Sequence, residues 1–215
     1  SGNSPLITVI VPVYNGREFL HQCLDAIFAS SYQSFEVIVV DDCSTDDSAE
    51  ISRSKGARVL STAKQSGPAA ARNLAAETAE GEILMFVDAD VVVKRDTIGK
   101  VADRFEQRPE ISALFGSYDD EPAEKNFLSQ YKNLQHHFVH QNSSSKASTF
   151  WSGLGAMRRD VFVAHRGFDC KKFGVPSIED IDLGFRLSKA GHQIILDRSI
   201  QAKHLKKWKI IPHLR

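Results

Sequence analysis

The sequence is poor in the residues that cross-link small secreted proteins or hold structural zinc. It contains three cysteines, Cys23, Cys43 and Cys170, and no two of them form a C-x-x-C pair. An odd number of cysteines without that spacing argues against both a disulfide framework and a zinc knuckle. We therefore expect a reducing, cytoplasmic environment for this chain.

Long apolar runs are also missing. No stretch approaches the roughly 20 apolar residues needed to span a bilayer, and the first residues lack the pattern of a signal peptide. The 215 residues are 42% apolar and 25% charged, which is typical of one compact domain with a sizeable core. We predict a single domain over residues 1–215.

The formal net charge is zero, so the chain lacks the excess of basic residues that nucleic-acid binding requires. Its end is different, because residues 203–215 carry five lysines or arginines and no acid. Leu205, Trp208 and Ile211 alternate with the lysines there, which would give a helix one apolar and one cationic edge. Residues 205–215 are thus predicted to form a basic amphipathic tail that either contacts the inner face of an anionic membrane or packs on the domain.

Apolar, β-branched segments alternate with helical patterns in the first half of the chain. A helix is predicted to begin at Gly67-Pro68, where proline has no backbone donor to lose, and Ser44 with Asp47 resembles a capping box at the start of another. This alternation predicts an α/β fold with a mainly parallel sheet flanked by helices. The predicted strands of this half lie at residues 7–13, 36–41, 57–61 and 82–88.

The pattern becomes less regular from about residue 112. A strand is predicted at residues 112–118 and a helix around residues 127–138. Glycine-rich segments follow, among them WSGLGAM at residues 151–157. By itself, this last segment is equally typical of an ordinary strand bent by glycine.

Four acidic side chains follow predicted strands at the point where each strand ends: Asp41, Asp42, Asp88 and Asp90. Ligands of open α/β sheets bind at the carboxyl ends of the strands, so we expect these carboxylates to lie close together. Like charges so close need a cation, and Mg²⁺ or Mn²⁺ bridging to phosphate suits oxygen ligands. The alternative is that these residues cap a helix or lie in a turn.

Five segments, in this order, carry a resemblance to a known family: VIVPVYN, VVDDCSTDD, GPAAARN, FVDADVVV and EDIDLGFRLSKAG. Together they resemble the family 2 inverting glycosyltransferases of the GT-A fold, over roughly residues 7–208. The resemblance implies a nucleotide-binding half at residues 7–111 and a half at residues 112–204 that shapes the acceptor side. It also implies transfer of a sugar from a nucleotide-diphosphate donor to an acceptor hydroxyl.

The resemblance assigns donor contacts to particular positions of this chain. Asp42 matches the acid that accepts a hydrogen bond from uracil, which favours UDP, and Asp88 matches the acid directed at the ribose. The chain departs from the family at Gln65 or Ser66, where asparagine is common. The complete predicted nucleotide-binding set is Pro12, Tyr14, Asn15, Asp42, Arg72, Asp88 and Ala89.

Metal binding is implied at Asp90, the second acid of the D-x-D pair, and at His204, which matches a late histidine ligand. An imidazole beside carboxylates suits Mn²⁺ better than Mg²⁺, although the resemblance permits both. Without the resemblance, any one of the eight histidines would be interpreted as a surface or packed side chain.

Glu179 and Asp180 match the acidic pair that faces the acceptor in this family. Asp180 is the predicted general base, because a carboxylate can take the proton of an attacking hydroxyl. The alternative is that these acids only complement a helix dipole. Trp151 and Gly153 match the segment behind the donor sugar, so both are predicted, with Glu179, to line the donor and acceptor pocket.

The predicted reaction is a single displacement, with a glycan or a lipid-linked molecule as the acceptor. Two other functions remain open. A sugar nucleotidyltransferase would share the first half, although VYNGREF is a poor match to the glycine-rich loop such enzymes carry after their first strand. A nucleotide-sugar-binding domain without turnover would share the whole fold.

Overall fold

The computed structural model describes residues 4–119, 146–170 and 178–205. Within these ranges nine strands form one mixed sheet, with helices on both faces. In the order in which they lie across the sheet, eight of the strands are β3, β2, β1, β4, β8, β6, β9 and β5, and β7 pairs with β9. In chain order the strands are β1 (Ile7–Val13), β2 (Phe35–Asp41), β3 (Arg58–Ser61), β4 (Ile83–Val87), β5 (Val91–Val93), β6 (Ile111–Tyr118), β7 (Lys146–Ala147), β8 (Leu154–Arg158) and β9 (Gln193–His204).

The first half has the predicted parallel arrangement. Strand β1 pairs in parallel with both β2 and β4, and β2 pairs in parallel with β3. All seven residues of β1 are buried, as expected for an apolar strand covered on both faces. The helices of this half are α1 (Arg17–Phe28), α2 (Ser48–Ser54), α3 (Gly67–Thr78) and α4 (Thr97–Gln107).

The second half is mixed in direction. Strand β8 inserts between β4 and β6 and runs antiparallel to both, whereas β6 and β9 are parallel. The short strands β5 and β7 each pair antiparallel with β9. The helices here are α5 (Arg159–Ala164) and α6 (Glu179–Lys189).

Two apolar cores lie on opposite faces of the sheet. One contains the buried stripes of α1, α2 and α4, and the other those of α3, α5 and α6. On α1 the stripe is Leu20, Cys23, Leu24 and Ile27, at the three-to-four spacing of one helix face. Burial of each large apolar side chain contributes about 1.5–3 kcal/mol, so these stripes hold the helices on the sheet.

Helix α3 begins at Gly67 with Pro68 in its first turn, as predicted. The capping-box prediction is wrong, because α2 begins at Ser48 and its start has no capping bond from Ser44. The Ser44 hydroxyl instead accepts the backbone N–H of Asn15. The Asp46 carboxylate accepts the N–H of Ser48, so the helix start is satisfied from a different residue.

Strands β5 and β7 were not predicted, since three and two residues are too few for a recognisable pattern. All three cysteines are free thiols. None of the helices in the described ranges has the length and apolar character needed to cross a bilayer. The predicted helix at residues 127–138 and all but the first residue of the predicted tail lie outside the described residues.

Candidate active site

A cleft of about 360 Å³ opens at the carboxyl ends of β1 and β4. Its walls come from the loop after β1, the first turns of α1 and α3, and the turn after β4. Every residue predicted to bind nucleotide except Asp42 lines this cleft, together with the predicted metal ligand Asp90. These lining residues are Pro12, Tyr14, Asn15, Arg72, Asp88, Ala89 and Asp90.

The loop after β1 is held by the loop after β2. Asn15 has a positive φ of 49°, and its side-chain oxygen accepts the N–H of Thr45 at 2.8 Å. Its own N–H donates to Ser44. Tyr14 remains 48% exposed beside this fixed turn, so its ring is available to a ligand in the cleft.

Asp42 lies behind the cleft and is only 3% exposed. Its carboxylate accepts the N–H groups of Ser66 and Gly67, at the start of α3, and the hydroxyl of Thr62. Carboxylates are favourable at helix N-termini because the orphan donors and the dipole are positive there. The structure therefore gives Asp42 a helix-capping role, and a hydrogen bond donated by uracil would have to compete with these donors for the carboxylate oxygens.

Arg72 and Asp88 form the main ion pair of the cleft, with 2.6 Å between Nη2 and Oδ1. The arginine side chain is 4% exposed and packs over the ring of Phe168, whereas the Asp88 side chain keeps 35% exposure. Burial of the carboxyl raises the pKa of Asp88, the Arg72 charge acts against that rise, and Asp90 adds to it. A cationic partner in the cleft would favour the charged form of Asp88.

Asp90 and His204 meet where β5 pairs with β9, with 3.3 Å between Oδ2 and Nε2. Metal–ligand bonds of about 2.0–2.1 Å, the range for Mg²⁺, allow two ligands of one ion to lie up to about 4.2 Å apart. The two donors thus fit one divalent ion. No group of three or more histidine, cysteine, aspartate or glutamate side chains that could hold a metal ion occurs in the described ranges.

His204 packs against the Tyr118 ring, which in turn packs against Trp151. The Tyr118 ring stacks on the imidazole at 4.3 Å between centroids and 11° between planes. The Trp151 ring packs edge-on against the Tyr118 ring, with 4.9 Å between centroids. Burial, and then the charges of Asp88 and Asp90, raise the pKa of Tyr118 well above its usual value, so its hydroxyl stays neutral.

Residues 151–153 contact two predicted site residues, Asp88 and Asp180. The Gly153 carbonyl accepts the N–H of Asp88 at 3.1 Å. A Cβ at Gly153 would lie 2.6 Å from the Trp151 indole, so only glycine lets that ring fold over this backbone. Glycine at position 153 is therefore explained by packing against Trp151, and its predicted place in the donor and acceptor pocket stays a prediction.

Asp180 lies in the first turn of α6. Its Oδ2 accepts the backbone N–H of Ser152 at 3.1 Å and the Ser152 hydroxyl at 3.3 Å, and its Oδ1 accepts the N–H of Ile181. Glu179 beside it is 6% exposed. Asp180 is bonded to Ser152 and the backbone of Asp88 to Gly153, so two adjacent residues connect the predicted base with the D-x-D pair.

Sequence reasoning missed Ser152, Tyr118 and Thr62 as parts of the site. Ser152 lies inside the flagged WSGLGAM segment, and Tyr118 ends a predicted strand, where polar residues already merit attention. Thr62 follows β3 in the same way. A polar residue at or directly after the end of a strand is therefore the signal that could have identified Tyr118 and Thr62, had it been considered for every strand.

The family model described as Glycosyl transferase family 2 matches residues 8–165, which is most of the chain. The chain belongs to glycosyltransferase family 2. This membership covers β1 to α5 and includes the D-x-D pair and Ser152.

Individual relatives agree with the family assignment. Glycosyltransferase GlyG of Streptococcus pneumoniae is 33% identical over 129 residues, covering 58% of this chain and 43% of that protein. The poly(ribitol-phosphate) β-N-acetylglucosaminyltransferase TarS of Staphylococcus aureus is 34% identical over 102 residues, 44% of this chain and 18% of that protein. The chain thus spans less than half the length of either relative.

Solved structures show the same fold. The mannosyltransferase PcManGT from Pyrobaculum calidifontis, in complex with GDP-Man and Mn²⁺, has a TM-score of 0.74 at 23% identity, covering 94% of this chain and 57% of that one. Residues 1–349 of S. aureus TarS, in complex with UDP-GlcNAc, have a TM-score of 0.76 at 21% identity, covering 95% and 60%. The GT-A fold expected from the sequence is confirmed.

Proposed function

We propose that this chain is the catalytic domain of an inverting glycosyltransferase that moves a sugar from a nucleotide-diphosphate donor to an acceptor hydroxyl. The observation that carries the proposal is that Asp180 and the backbone of Asp88 are bonded to adjacent residues, Ser152 and Gly153. A general base connected in this way to the diphosphate site suits attack of an acceptor hydroxyl on the anomeric carbon, which joins the sugar to the diphosphate.

The donor occupies the cleft at the ends of β1 and β4. Tyr14 offers an exposed ring for a nucleoside, and Asp88 offers a carboxylate for ribose hydroxyls. UDP is favoured by the Asp42 match. GDP is the alternative, since PcManGT was solved with GDP-Man and TarS with UDP-GlcNAc.

Asp90 and His204 are the proposed ligands of a divalent cation, Mn²⁺ or Mg²⁺. A mixed carboxylate and imidazole pair suits Mn²⁺, and PcManGT was solved with that ion. Once bound, the cation would offset the charge that develops on the departing diphosphate.

Asp180 takes the proton of the acceptor hydroxyl as the acceptor oxygen bonds to the anomeric carbon and the bond to the diphosphate oxygen breaks. Attack and departure occur on opposite faces, so the configuration inverts. Ser152 and Ile181 hold the carboxylate in one orientation, which is the positional requirement for general base catalysis.

A glycan or a lipid-linked molecule is the proposed acceptor class. TarS is described as acting on poly(ribitol-phosphate), which shows one polymeric acceptor among the relatives. Membrane contact through residues 203–215 also remains a proposal, tested by liposome sedimentation of the chain with and without residues 205–215. Equal sedimentation of both would contradict it.

The decisive experiment measures release of nucleoside diphosphate from a panel of UDP- and GDP-sugars, with Mn²⁺, with Mg²⁺ and with a chelator. We expect release from one nucleotide class, loss of that release on chelation, and its recovery on adding Mn²⁺. Binding of nucleotide sugar without any turnover would instead indicate the non-catalytic binding domain, and formation of nucleotide sugar from sugar phosphate would indicate a nucleotidyltransferase.

A further inference from the structure

We propose that Ser152 is a positioning residue for the general base, and that its two donors to Oδ2 of Asp180 leave Oδ1 to receive the acceptor proton. The inference rests on the proposed function, because it gives a role to a residue that acts through Asp180. It starts from the two contacts that Ser152 makes with one carboxylate oxygen.

The two oxygens of Asp180 have unequal surroundings. Oδ2 accepts two donors from Ser152, the backbone N–H at 3.1 Å and the hydroxyl at 3.3 Å. Oδ1 accepts the neighbouring N–H of Ile181 at 2.8 Å. Since Oδ2 accepts two donors and Oδ1 only one in these contacts, Oδ1 has the more open position for the acceptor hydroxyl.

Ser152 is itself rigidly held, which a positioning role requires. It is 4% exposed, and its neighbours on either side are fixed by other parts of the site. Trp151 packs edge-on against Tyr118, and the Gly153 carbonyl accepts the N–H of Asp88. A displacement of Ser152 would therefore disturb both sides of the cleft.

Helix α6 is held equally firmly against this segment. A Cβ at Gly184, one turn after Asp180, would lie 2.3 Å from the backbone nitrogen of Phe150. The helix thus packs backbone to backbone on the residues just before Trp151. This close approach keeps Asp180 within hydrogen-bond distance of Ser152, so that Ser152 can fix the orientation of the carboxylate.

The hydroxyl bond of 3.3 Å is longer than the usual O–H···O distance of about 2.7–2.8 Å, whereas the N–H bond of 3.1 Å is within the normal range. The backbone bond therefore fixes the place of Oδ2. The hydroxyl adds an adjustable contact that can shorten when charge at the carboxylate changes, as catalytic hydrogen bonds do in the complex with substrate.

The test uses the Ser152→Ala variant and hydrolysis of the nucleotide sugar that the wild-type chain cleaves in the donor panel. In hydrolysis, water attacks the anomeric carbon, Asp180 takes its proton, and the nucleoside diphosphate leaves. We expect kcat to fall about 5- to 20-fold while KM for the donor changes less than twofold. We also expect the acidic limb of the profile of kcat against pH to move to higher pH, because one donor to the charged carboxylate is lost.

Two further variants make the result specific. Ser152→Thr restores a hydroxyl and should recover most of kcat and the original pH profile. Ser112→Ala removes another buried serine hydroxyl, the one bonded to His192, and should change neither. Thermal unfolding of each variant shows whether the fold is intact.

The outcomes separate this inference from the proposed function. If Asp180→Asn still hydrolyses the donor at the wild-type rate, Asp180 is not the general base. The proposed role of Ser152, which acts through Asp180, is then wrong as well. If Asp180→Asn is inactive while a folded Ser152→Ala keeps the wild-type kcat and pH profile, only the inference about Ser152 is overturned. A fall in kcat with an unmoved pH profile, not recovered by Ser152→Thr, would also overturn it.

Discussion

The two halves of the molecule build the same cleft in different ways. In residues 7–111, site residues follow their strands directly, and the parallel strands β1, β2 and β4 bring their ends together. In residues 112–204, the site depends on contacts between distant segments, such as Ser152 with Asp180 and Tyr118 with His204. The site residues of the first half are therefore placed by the sequence pattern of each segment, whereas those of the second half are placed by packing between distant segments.

The largest expected effect concerns the proposed base in the second half. Asp180→Asn should lower turnover about 1000-fold, because general base catalysis contributes about 10²–10⁴-fold, and should leave donor affinity nearly unchanged. Steady-state kinetics and calorimetric titration of the donor measure the two quantities. Asp182→Asn is the matched control, since Asp182 lies in the same helical turn and pairs with Arg186; an equal loss of turnover in both variants would contradict a specific role of Asp180.

Two glycines inside helices test whether the second half depends on close packing. Gly184 lies in α6 of the second half, and Gly99 lies in α4 of the first half and serves as the comparison. Gly184→Ala should destabilise the fold by about 1–3 kcal/mol, the range for overpacking, because its Cβ would meet the backbone of Phe150. Gly99→Ala in α4 should instead stabilise by up to about 1 kcal/mol, since that Cβ meets only ordinary contacts near Tyr32 and alanine favours a helix. Urea unfolding measures both, and equal effects would show that α6 is not tightly packed.

A partly buried ion pair connects the halves, since Arg104 of α4 binds Asp197 of β9 at 2.6 Å. Burial raises the pKa of Asp197, but hydrogen bonds from Ser199 and the contact with Arg104 outweigh it and leave the pKa below the usual value. The stabilisation is therefore present above the pKa of the unfolded chain, about 3.9, and is lost as the pH falls through the folded pKa.

The corresponding variant is Asp197→Asn. It should lower the free energy of unfolding by roughly 1 kcal/mol at pH 7, and the difference from wild type should shrink as the pH approaches 3. Urea unfolding at several pH values measures it. The exposed pair of Arg108 and Glu110 supplies the control, Glu110→Gln, which should have no measurable effect. A pH-independent difference for Asp197→Asn would contradict the linkage.

The smallest expected effect is in the first half, where Cys43 has a φ of 63°. A left-handed conformation costs a residue with a Cβ about 1–2 kcal/mol, and glycine loses about 0.5–1 kcal/mol through its greater freedom when unfolded. Cys43→Gly should therefore stabilise the fold by about 0.5 kcal/mol, measured by thermal unfolding. Cys43→Ala keeps the Cβ and should bring no such gain; a gain of equal size would point away from backbone strain.

Prediction from sequence succeeded where a residue and its surroundings lie in one segment. Strands β1 to β4 and the start of α3 follow from apolar runs and Gly67-Pro68. The capping box failed because Ser44 bonds to Asn15, which is distant in the chain. Asp42 followed its strand as predicted, yet only the structure revealed its bonds to the start of α3.

The amino-acid sequence by itself determined the α/β class, the family and the placement of acidic residues after strands, because these depend on periodicity and on order along the chain. The tertiary structure decided that β8 runs antiparallel between β4 and β6, and that Ser152 lies beside Asp180. The physical reason is that such contacts join residues far apart in the chain, and their geometry depends on how closely the helices and the sheet pack.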